Sequence, residues 1–303
     1  MSVDPKVQLT RENLGALPPL CTDGAWGTEL DKLGAATGQL HDLWNLDAPD
    51  KVFSVARAYV DAGAGIVLTN TFSSNRPTLA RHKLEERGIE LNQAGAAISK
   101  RAARDKAYVF GSIGPCGKIV MMNEISVEAV QASAAEQASA LEAGGADAIV
   151  IETQSDLVEA QATLEGALCG CSLPVGISFT FDSGAGHDRT MMGVSVSEAY
   201  ALAKGAGASF VGANCGAGIE TILLLAEQFS TCGADLPIWV KGNAGQPGLD
   251  ADGNAIYPAS PKVYAEMVGP LLQAGAKFIG GCCGSTPEHI RAIAAALDTA
   301  VRA

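Results

Sequence analysis

Positive charge, long hydrophobic runs and an export signal are all scarce or missing in this sequence of 303 residues. Lys and Arg number 21 against 33 Asp and Glu, a formal net charge of -12, so nucleic acid and anionic membranes are not expected partners. No apolar run approaches the roughly 20 residues of a membrane helix. The segment Met1–Asn13 lacks the hydrophobic centre of a secretion signal. We therefore expect a cytoplasmic protein, and its 48% hydrophobic residues suffice for a sizeable core.

Linker-like segments are also missing, and the chain instead alternates short apolar runs with longer alanine-rich stretches. Apolar runs of about four to six residues are typical of strands buried on both faces of a parallel sheet. The pattern predicts strands at Leu20–Asp23, Ile66–Asn70, Tyr108–Gly111, Ala148–Glu152, Val175–Thr180, Phe210–Asn214, Ile238–Lys241 and Phe278–Gly281. After an N-terminal helix, it predicts helices at Asp50–Ala62, Thr78–Arg104, Val127–Ala143, Leu157–Leu168, Ser195–Lys204, Ile219–Phe229, Pro261–Gln273 and Pro287–Ala300.

Glycines such as Gly63 and Gly275 follow several predicted helices and indicate C-caps, where the chain turns sharply into the next strand. Eight strand–helix units in about 280 residues fit a closed (β/α)8 barrel. A doubly wound open sheet is the alternative, but it would need fewer strands or two domains. We predict one domain, residues 1–303, forming a single α/β TIM barrel with a short N-terminal helical extension.

In a (β/α)8 barrel the active site forms at the C-terminal ends of the strands. That rule selects the polar residues that should face one another. These positions are Asp23, Gly24, Thr69–Phe72, Gly114, Glu152, Thr153, Thr180, Asn214, Cys215, Asn243, Cys282 and Cys283.

Three cysteines among these positions predict a metal centre. Eight cysteines in an unexported chain indicate reduced thiols rather than a disulfide framework. Thiolates of Cys215, Cys282 and Cys283 would make a three-cysteine zinc site with an open fourth position, the arrangement of a catalytic zinc. Such a zinc activates water poorly but holds a substrate thiol as a thiolate at neutral pH, so alkylation of that thiol is the expected reaction.

Two other interpretations of the cysteines stay open. Cys215 and the vicinal pair could be buried packing residues, because cysteine often behaves as a small hydrophobe. A strained vicinal disulfide is a further alternative. Cys169 and Cys171, one residue apart, are a weaker candidate for a second metal site.

Several segments resemble the homocysteine S-methyltransferase family. The matching residues run in order across nearly the whole chain: Asp23–Glu29, Thr69–Phe72, Gly111–Pro115, Glu152–Thr153, Gly212–Cys215 and Gly280–Pro287. The resemblance implies a zinc-bearing barrel that methylates homocysteine, with Cys215, Cys282 and Cys283 as zinc ligands. It also implies that Asp23 and Glu152 hold the substrate ammonium, while the Gly24 and Ala25 backbone and the Thr69 hydroxyl lie around its carboxylate and amine. We expect Asn214 to support the zinc-binding loop.

The methyl donor depends on whether an aromatic cage is present, since a cage recognises quaternary ammonium and sulfonium groups. Aromatic residues are only 5% of the chain, and Ser73 and Thr153 stand where the betaine branch of the family has tyrosines. Trp26 and Trp44 are the remaining candidate walls. The segments Lys241–Pro247 and Gly280–Ile290 resemble the homocysteine half of cobalamin-dependent methionine synthase, and the chain ends where the folate and cobalamin modules would begin.

The resemblance thus implies a methyl-corrinoid donor on a separate protein that docks over the barrel. A self-sufficient enzyme using S-methylmethionine, betaine or another onium donor is the alternative. Two interpretations from other classes are a metal-independent cysteine nucleophile and a non-catalytic binding module. No general base is required, and we expect His82 and His289 on helix surfaces. The sequence leaves the oligomeric state open.

Overall fold

Eight parallel strands form a barrel in the computed structural model of the chain, which describes residues 7–36, 38–216, 218–246, 248–249 and 255–302. The barrel strands are β1 (Leu20–Cys21), β2 (Ile66–Leu68), β3 (Tyr108–Ile113), β4 (Ala148–Gln154), β5 (Val175–Phe179), β6 (Val211–Cys215), β7 (Ile238–Gly242) and β10 (Ala276–Gly281). Their order in the sheet is β1-β10-β7-β6-β5-β4-β3-β2. A parallel bridge between Thr22 and Ile66 brings the two outer strands together and closes the barrel. The predicted TIM barrel and all eight predicted strands are confirmed.

Helices surround the barrel. They are α1 (Gly27–Lys32), α2 (Trp44–Asp47), α3 (Pro49–Ala62), α4 (Arg76–Ala80), α5 (Gly88–Ala103), α6 (Val127–Ala143), α7 (Leu157–Gly170), α8 (Val196–Gly205), α9 (Ile219–Cys232), α10 (Pro261–Gln273) and α11 (Pro287–Arg302). The predicted glycine caps are confirmed at α3 and α10, where Gly63 and Gly275 have φ of +106° and +87°. A short antiparallel hairpin, β8 (Gly248–Leu249) with β9 (Ala255–Ile256), lies in the loop between β7 and α10. No helix in the described part of the chain is long and apolar enough to cross a membrane.

One helix prediction is wrong, and the predicted N-terminal helix can be assessed only in part. The single helix expected over 78–104 is two helices, because Lys83 adopts a left-handed φ of +59° and the N–H of Leu84 returns to the carbonyl of Leu79 at 3.0 Å, which ends α4. Before β1, the described residues form one 3-10 turn at Leu14–Ala16 and no α-helix. The rest of the expected N-terminal helix, residues 1–6, lies outside the described residues.

The lumen of the barrel is filled in layers, because alternate residues of each strand point inward. A lower layer packs four aromatic rings with centroids 5.3 to 6.5 Å apart: Phe110, Phe210, Trp239 and Phe278. Two residues further along the same or neighbouring strands the inward side chains turn polar. This upper layer consists of Ser112, Glu152, Asn214 and Lys241, all buried. The lumen therefore changes from apolar to polar towards the C-terminal ends of the strands.

Candidate metal and acceptor site

Three cysteine sulfurs lie together at the C-terminal end of the barrel strands, which we call the mouth. Cys215 ends β6, and Cys282 and Cys283 directly follow β10. The three Sγ atoms all lie within 4.8 Å of one another, and those of Cys215 and Cys282 are 2.8 Å apart. The two predicted positions, 67 residues apart in the chain, thus meet in space. Within the described ranges this is the group of His, Cys, Asp or Glu side chains that could hold a metal ion.

The cluster fits a zinc ion by its chemistry and its size. Three sulfurs at about 2.3 Å from a tetrahedral zinc lie roughly 3.8 Å from one another. The three sulfurs here lie within 4.8 Å, and those of Cys215 and Cys282, which are 2.8 Å apart, would have to separate to take up that spacing. Hydrogen bonds from the Cys215 and Cys282 thiols lower the pKa of Cys283, whereas the pKa values of Cys215 and Cys282 are raised. The cluster therefore favours one thiolate, which a bound cation would neutralise. All three cysteines are only partly buried. A fourth ligand can therefore reach the metal position from the mouth.

Backbone contacts from the end of β7 hold the vicinal pair in place. The N–H of Cys282 donates to the carbonyl of Gly242 at 2.7 Å, and the N–H of Ala244 donates to the carbonyl of Cys283 at 2.9 Å. The Ser285 hydroxyl donates to the carbonyl of Cys282 at 2.7 Å. The turn is therefore fixed by backbone geometry as well as by its place after β10.

Asn214 connects the C-terminal ends of β4 and β6, where Thr153 and Cys215 lie. Its Oδ1 accepts bonds from the Thr153 N–H at 2.9 Å and the Ser178 hydroxyl at 2.7 Å, and its Nδ2 donates to Thr153 Oγ1 at 2.7 Å. Thr153 and Cys215 both have left-handed backbones, with φ of +60° and +59°, a conformation that costs energy for such residues. The buried amide of Asn214 links these two strained turns, and its Nδ2 also lies 3.5 Å from the Cys215 sulfur.

The predicted acid Asp23 forms a buried ion pair with a residue that the sequence analysis did not assign to the site. Its Oδ1 accepts a short hydrogen bond from Nζ of Lys241, the upper-layer lysine of β7. Its Oδ2 accepts from the Trp26 indole N–H and from the Leu68 N–H, each at 2.8 Å. The side chain of Asp23 is 0% exposed and that of Lys241 is 2% exposed. Burial lowers the pKa of Lys241, but the charges of Asp23 and Glu152 raise it by more, so its ammonium stays charged.

Glu152, the second predicted acid, ends the inward face of β4 beside Lys241. Its Oε1 accepts a hydrogen bond from the Ser112 hydroxyl at 2.5 Å. Burial raises the pKa of Glu152 to about 7, while the Lys241 charge and the Ser112 hydrogen bond act in the opposite direction. Both predicted acids therefore lie at the mouth, and Lys241 interacts electrostatically with both.

The other predicted substrate positions lie at the ends of β1 and β2. The Ala25 N–H donates to the Ser285 hydroxyl at 3.1 Å, which joins this turn to the cysteine turn. A side chain at Gly24 would collide with Tyr59 and Ser285 at 2.8 to 2.9 Å, so glycine is required for this close approach. Thr69 Oγ1 accepts the Ser112 N–H at 2.9 Å and lies 2.6 Å from Thr71 Oγ1. These residues share the mouth with the acids, and their contacts with substrate stay a prediction.

Aromatic residues at the mouth differ from those considered in the sequence. Trp44 is buried, with the Lys51 ammonium 4.4 Å from its ring centre, and Trp26 is bonded to Asp23. Tyr257 instead lies against the cysteine turn, where a β-carbon placed on Gly284 would come within 2.0 Å of its ring. It belongs to the long loop between β7 and α10, where no periodic pattern marks its position.

The remaining cysteines and His289 complete the comparison with the sequence. Cys169 and Cys171 belong to no cluster of three potential metal ligands among the described residues, which argues against a second metal site there. All eight cysteines are free thiols, so the vicinal pair forms no disulfide in this structure. The surface position expected for His289 is wrong. Its ring is buried and lies 2.9 Å from the carbonyl oxygen of Ala259 and 3.1 Å from the N–H of Thr286.

The chain is similar to known proteins over most of its length. The family model described as homocysteine S-methyltransferase matches residues 20–297. The chain is 32% identical over 293 residues to a methionine synthase of Mycobacterium leprae and, equally, to one of Mycobacterium tuberculosis. These alignments cover 91% of this chain but 24% of each relative, so the chain spans about a quarter of their length.

Solved structures show the same barrel. The apo form of the homocysteine methyltransferase MmuM from Escherichia coli is 26% identical, with a TM-score of 0.72 over 93% of this chain and 97% of that one. Its metallated form gives a TM-score of 0.76 at 24% identity over 94% and 98% of the two chains. The family match covers most of the chain, and the cysteine cluster lies where the resemblance placed it. The chain belongs to the homocysteine S-methyltransferase family of methyltransferase enzymes.

Proposed function

We propose that this chain, acting as one unit over residues 1–303, transfers a methyl group to the sulfur of homocysteine and so forms methionine. The observation that carries the proposal is the cluster of Cys215, Cys282 and Cys283, which we assign to zinc. MmuM, a homocysteine methyltransferase of nearly equal length, has been solved in a metallated form, and the mycobacterial relatives are methionine synthases. Free thiolate ligands need a reducing compartment, so we place the protein in the cytoplasm.

A zinc ion on these sulfurs would lower the pKa of an incoming thiol, so that the acceptor reacts as a thiolate at neutral pH. The thiol proton passes to solvent. The acceptor sulfur then attacks the methyl carbon of the donor, a carbon–sulfur bond forms, and the donor leaves with the electron pair of its broken bond to methyl. No side chain has to act as a general base.

The residues of the mouth position the acceptor. Glu152 is the acid with some surface open to a ligand, and its carboxylate can bind the acceptor ammonium. The turn at Gly24 and Ala25 and the hydroxyl of Thr69 lie on the neighbouring strands and would surround the acceptor carboxylate. Asn214 holds the Thr153 and Cys215 turns together and so positions the metal ligand rather than the substrate.

The donor we favour is a methyl-corrinoid on a separate protein. Ser73 and Thr153 offer no aromatic face, Trp44 is buried in the core, and Trp26 donates its indole N–H to Asp23. Of these four positions, Trp26 alone places an aromatic ring beside the mouth, and one ring does not form a cage for a small onium donor.

One observation favours a second candidate, an onium donor such as S-methylmethionine or betaine. Tyr257 lies against the Cys282–Cys283–Gly284 turn, and a tyrosine ring there could attract a methylated cation. If the donor is an onium compound, Tyr257→Leu should weaken donor use, whereas Tyr200→Leu, a tyrosine of α8, should not.

The test is methionine formation by the zinc-loaded chain with homocysteine, given methylcobalamin, S-methylmethionine or betaine in separate reactions. Turnover with methylcobalamin alone supports the corrinoid donor, and turnover with one onium compound replaces it with the second candidate. Methyl transfer that persists after zinc removal, and that alkylating reagents abolish, would assign a cysteine nucleophile instead. Absence of methionine with every donor, in protein shown to hold zinc, would contradict the proposed reaction and favour a binding module.

A further inference from the structure

The mouth of the barrel contains a buried side-chain ammonium group, that of Lys241. Lys241 is almost fully buried, and its Nζ bonds to Oδ1 of Asp23. It lies on β7, opposite Asn214 of β6 and Gly280 of β10 in the sheet register. A lysine is rarely buried unless it is paired, so the pair with Asp23 is what keeps this ammonium inside the barrel.

This pair uses the acceptor capacity of Asp23. Oδ1 faces Lys241, and Oδ2 already accepts the N–H groups of Trp26 and Leu68 at 2.8 Å. The side chain has no exposed surface. A ligand in the mouth therefore cannot reach Asp23 while Lys241 stays paired with it.

Glu152 is more accessible to a ligand than Asp23. Its carboxylate accepts a hydrogen bond from the Ser112 hydroxyl, and the residue keeps 7% of its surface exposed. Of the two acids that the sequence assigned to an acceptor ammonium, only Glu152 can be reached.

We infer that Lys241 occupies the place at Asp23 that a substrate ammonium would otherwise take, so that the acceptor ammonium meets Glu152 alone and a thiol acid without an amino group is also an acceptor. This inference rests on the proposed methyl transfer to homocysteine and defines which thiols share that site. A zwitterion gains from an ammonium site only when the carboxylates there repay its lost hydration. With one reachable carboxylate, and with Lys241 nearby, that gain is small.

The experiment compares homocysteine with 4-sulfanylbutanoate, which has the same chain length, thiol and carboxylate but no amino group. Binding of each to the zinc-loaded chain is measured by isothermal titration calorimetry, and methylation is measured with whichever donor supports turnover. We expect the wild-type chain to prefer homocysteine by less than about tenfold in both measurements, since a single ion pair near another cation contributes little. A preference above about a hundredfold, the range expected for a fully paired buried charge, would overturn the inference.

Three variants test the assignment to Lys241. Lys241→Ala opens the space beside Asp23, so the preference for homocysteine should rise at least about tenfold. The double variant Asp23→Asn/Lys241→Ala also removes the Asp23 carboxylate that Lys241→Ala made accessible. Its preference for homocysteine should therefore return to the wild-type level. If Lys241 has only a structural role, Lys241→Ala should weaken the binding of both thiols equally, and the double variant should weaken it further. Lys277→Ala is the matched control, because this lysine of β10 bonds to the carbonyl of Gly15 and lies away from the mouth.

Glu152→Gln gives an independent result should Lys241→Ala fail to fold. It should weaken homocysteine binding but leave 4-sulfanylbutanoate binding unchanged, so the wild-type preference disappears. Binding of both thiols with a preference that neither substitution changes would reject the inference while the proposed function stands. Binding of neither thiol to zinc-loaded protein would reject the proposed function, and the inference with it.

Discussion

The two layers of the barrel lumen are built on neighbouring positions of the same strands, yet their chemistry is opposite. On β7, Trp239 belongs to the aromatic layer and Lys241, two residues on, belongs to the polar one. Two residues of a strand rise only about 6.6 Å. The aromatic layer is a buried core of contacting rings, whereas the polar layer holds paired charges beside the cysteine cluster. Residues that stabilise the barrel and residues that form the candidate site thus lie only two positions apart on a strand.

Removing a metal ligand should have the largest effect on the polar end. We expect Cys282→Ala to lose bound zinc and methyl transfer together, because two sulfurs cannot replace the three-sulfur cluster. Zinc is measured by mass spectrometry on purified protein, and methionine by chromatography. Cys169→Ser, an exposed cysteine at the end of α7, should keep both. A Cys282→Ala protein with full zinc content would break the assignment.

Truncating the aromatic layer should affect stability instead of chemistry. Phe210 contacts three other rings and is fully buried, so Phe210→Ala should lower the free energy of unfolding by about 3–5 kcal/mol. Denaturant unfolding measures this change, and the folded variant should keep its zinc. Phe53→Ala, on a partly buried ring of α3, should cost less. Loss of zinc from folded Phe210→Ala would show that the two layers are not independent.

Asn214 lies on the boundary between structure and chemistry, and its substitution should have an intermediate effect. Asn214→Ala removes the bonds to Thr153 and Ser178, so the Cys215 turn loses its support. We expect zinc affinity to fall by about 10- to 100-fold, measured by competition with a chelator. Ser178→Ala removes only one of these bonds and should have a smaller effect. Equal zinc affinity in wild type and Asn214→Ala would mean that the backbone alone holds the turn.

The smallest effect concerns pH. Glu152, whose pKa is about 7, faces Lys241, Ser112, Asp23 and Cys282. Below that pH the carboxyl is neutral and binds an ammonium weakly, and above it the carboxylate is charged. The KM for homocysteine should therefore fall between pH 6 and pH 8, but by less than about fivefold, because the whole contact with the ammonium contributes less than about tenfold to binding. In Glu152→Gln the KM should be higher than in the wild type and should not change with pH over this range. If the variant shows the same pH dependence as the wild type, another group is responsible for it.

The sequence was sufficient for the barrel and for the cysteine cluster. Apolar runs separated by glycine caps predicted all eight strands, and the strand ends then placed Cys215 beside Cys282. The helix expected at 78–104 was wrong because the left-handed turn at Lys83 has no marker in the sequence.

Lys241 was missed for a physical reason. A lysine at the end of a strand normally points its charge into water, and only contact with Asp23, 218 residues away, shows that this one is buried. The available signal was its phase: it lies two residues after the inward-facing Trp239, so its side chain had to enter the lumen. Tyr257 offered no comparable signal, since it lies in a long loop without a repeating pattern.

The separation of the cysteines along the chain also bears on biosynthesis. Cys215 emerges from the ribosome 67 residues before Cys282, and the two come together only when β6, β7 and β10 are paired. The cluster cannot be complete until Cys283 has been made, by which time all eight strands are available. Loading of the proposed zinc would therefore be a late event. Because an ion bound only by the folded state stabilises it in proportion to its concentration, zinc supply would decide how long each newly folded barrel persists.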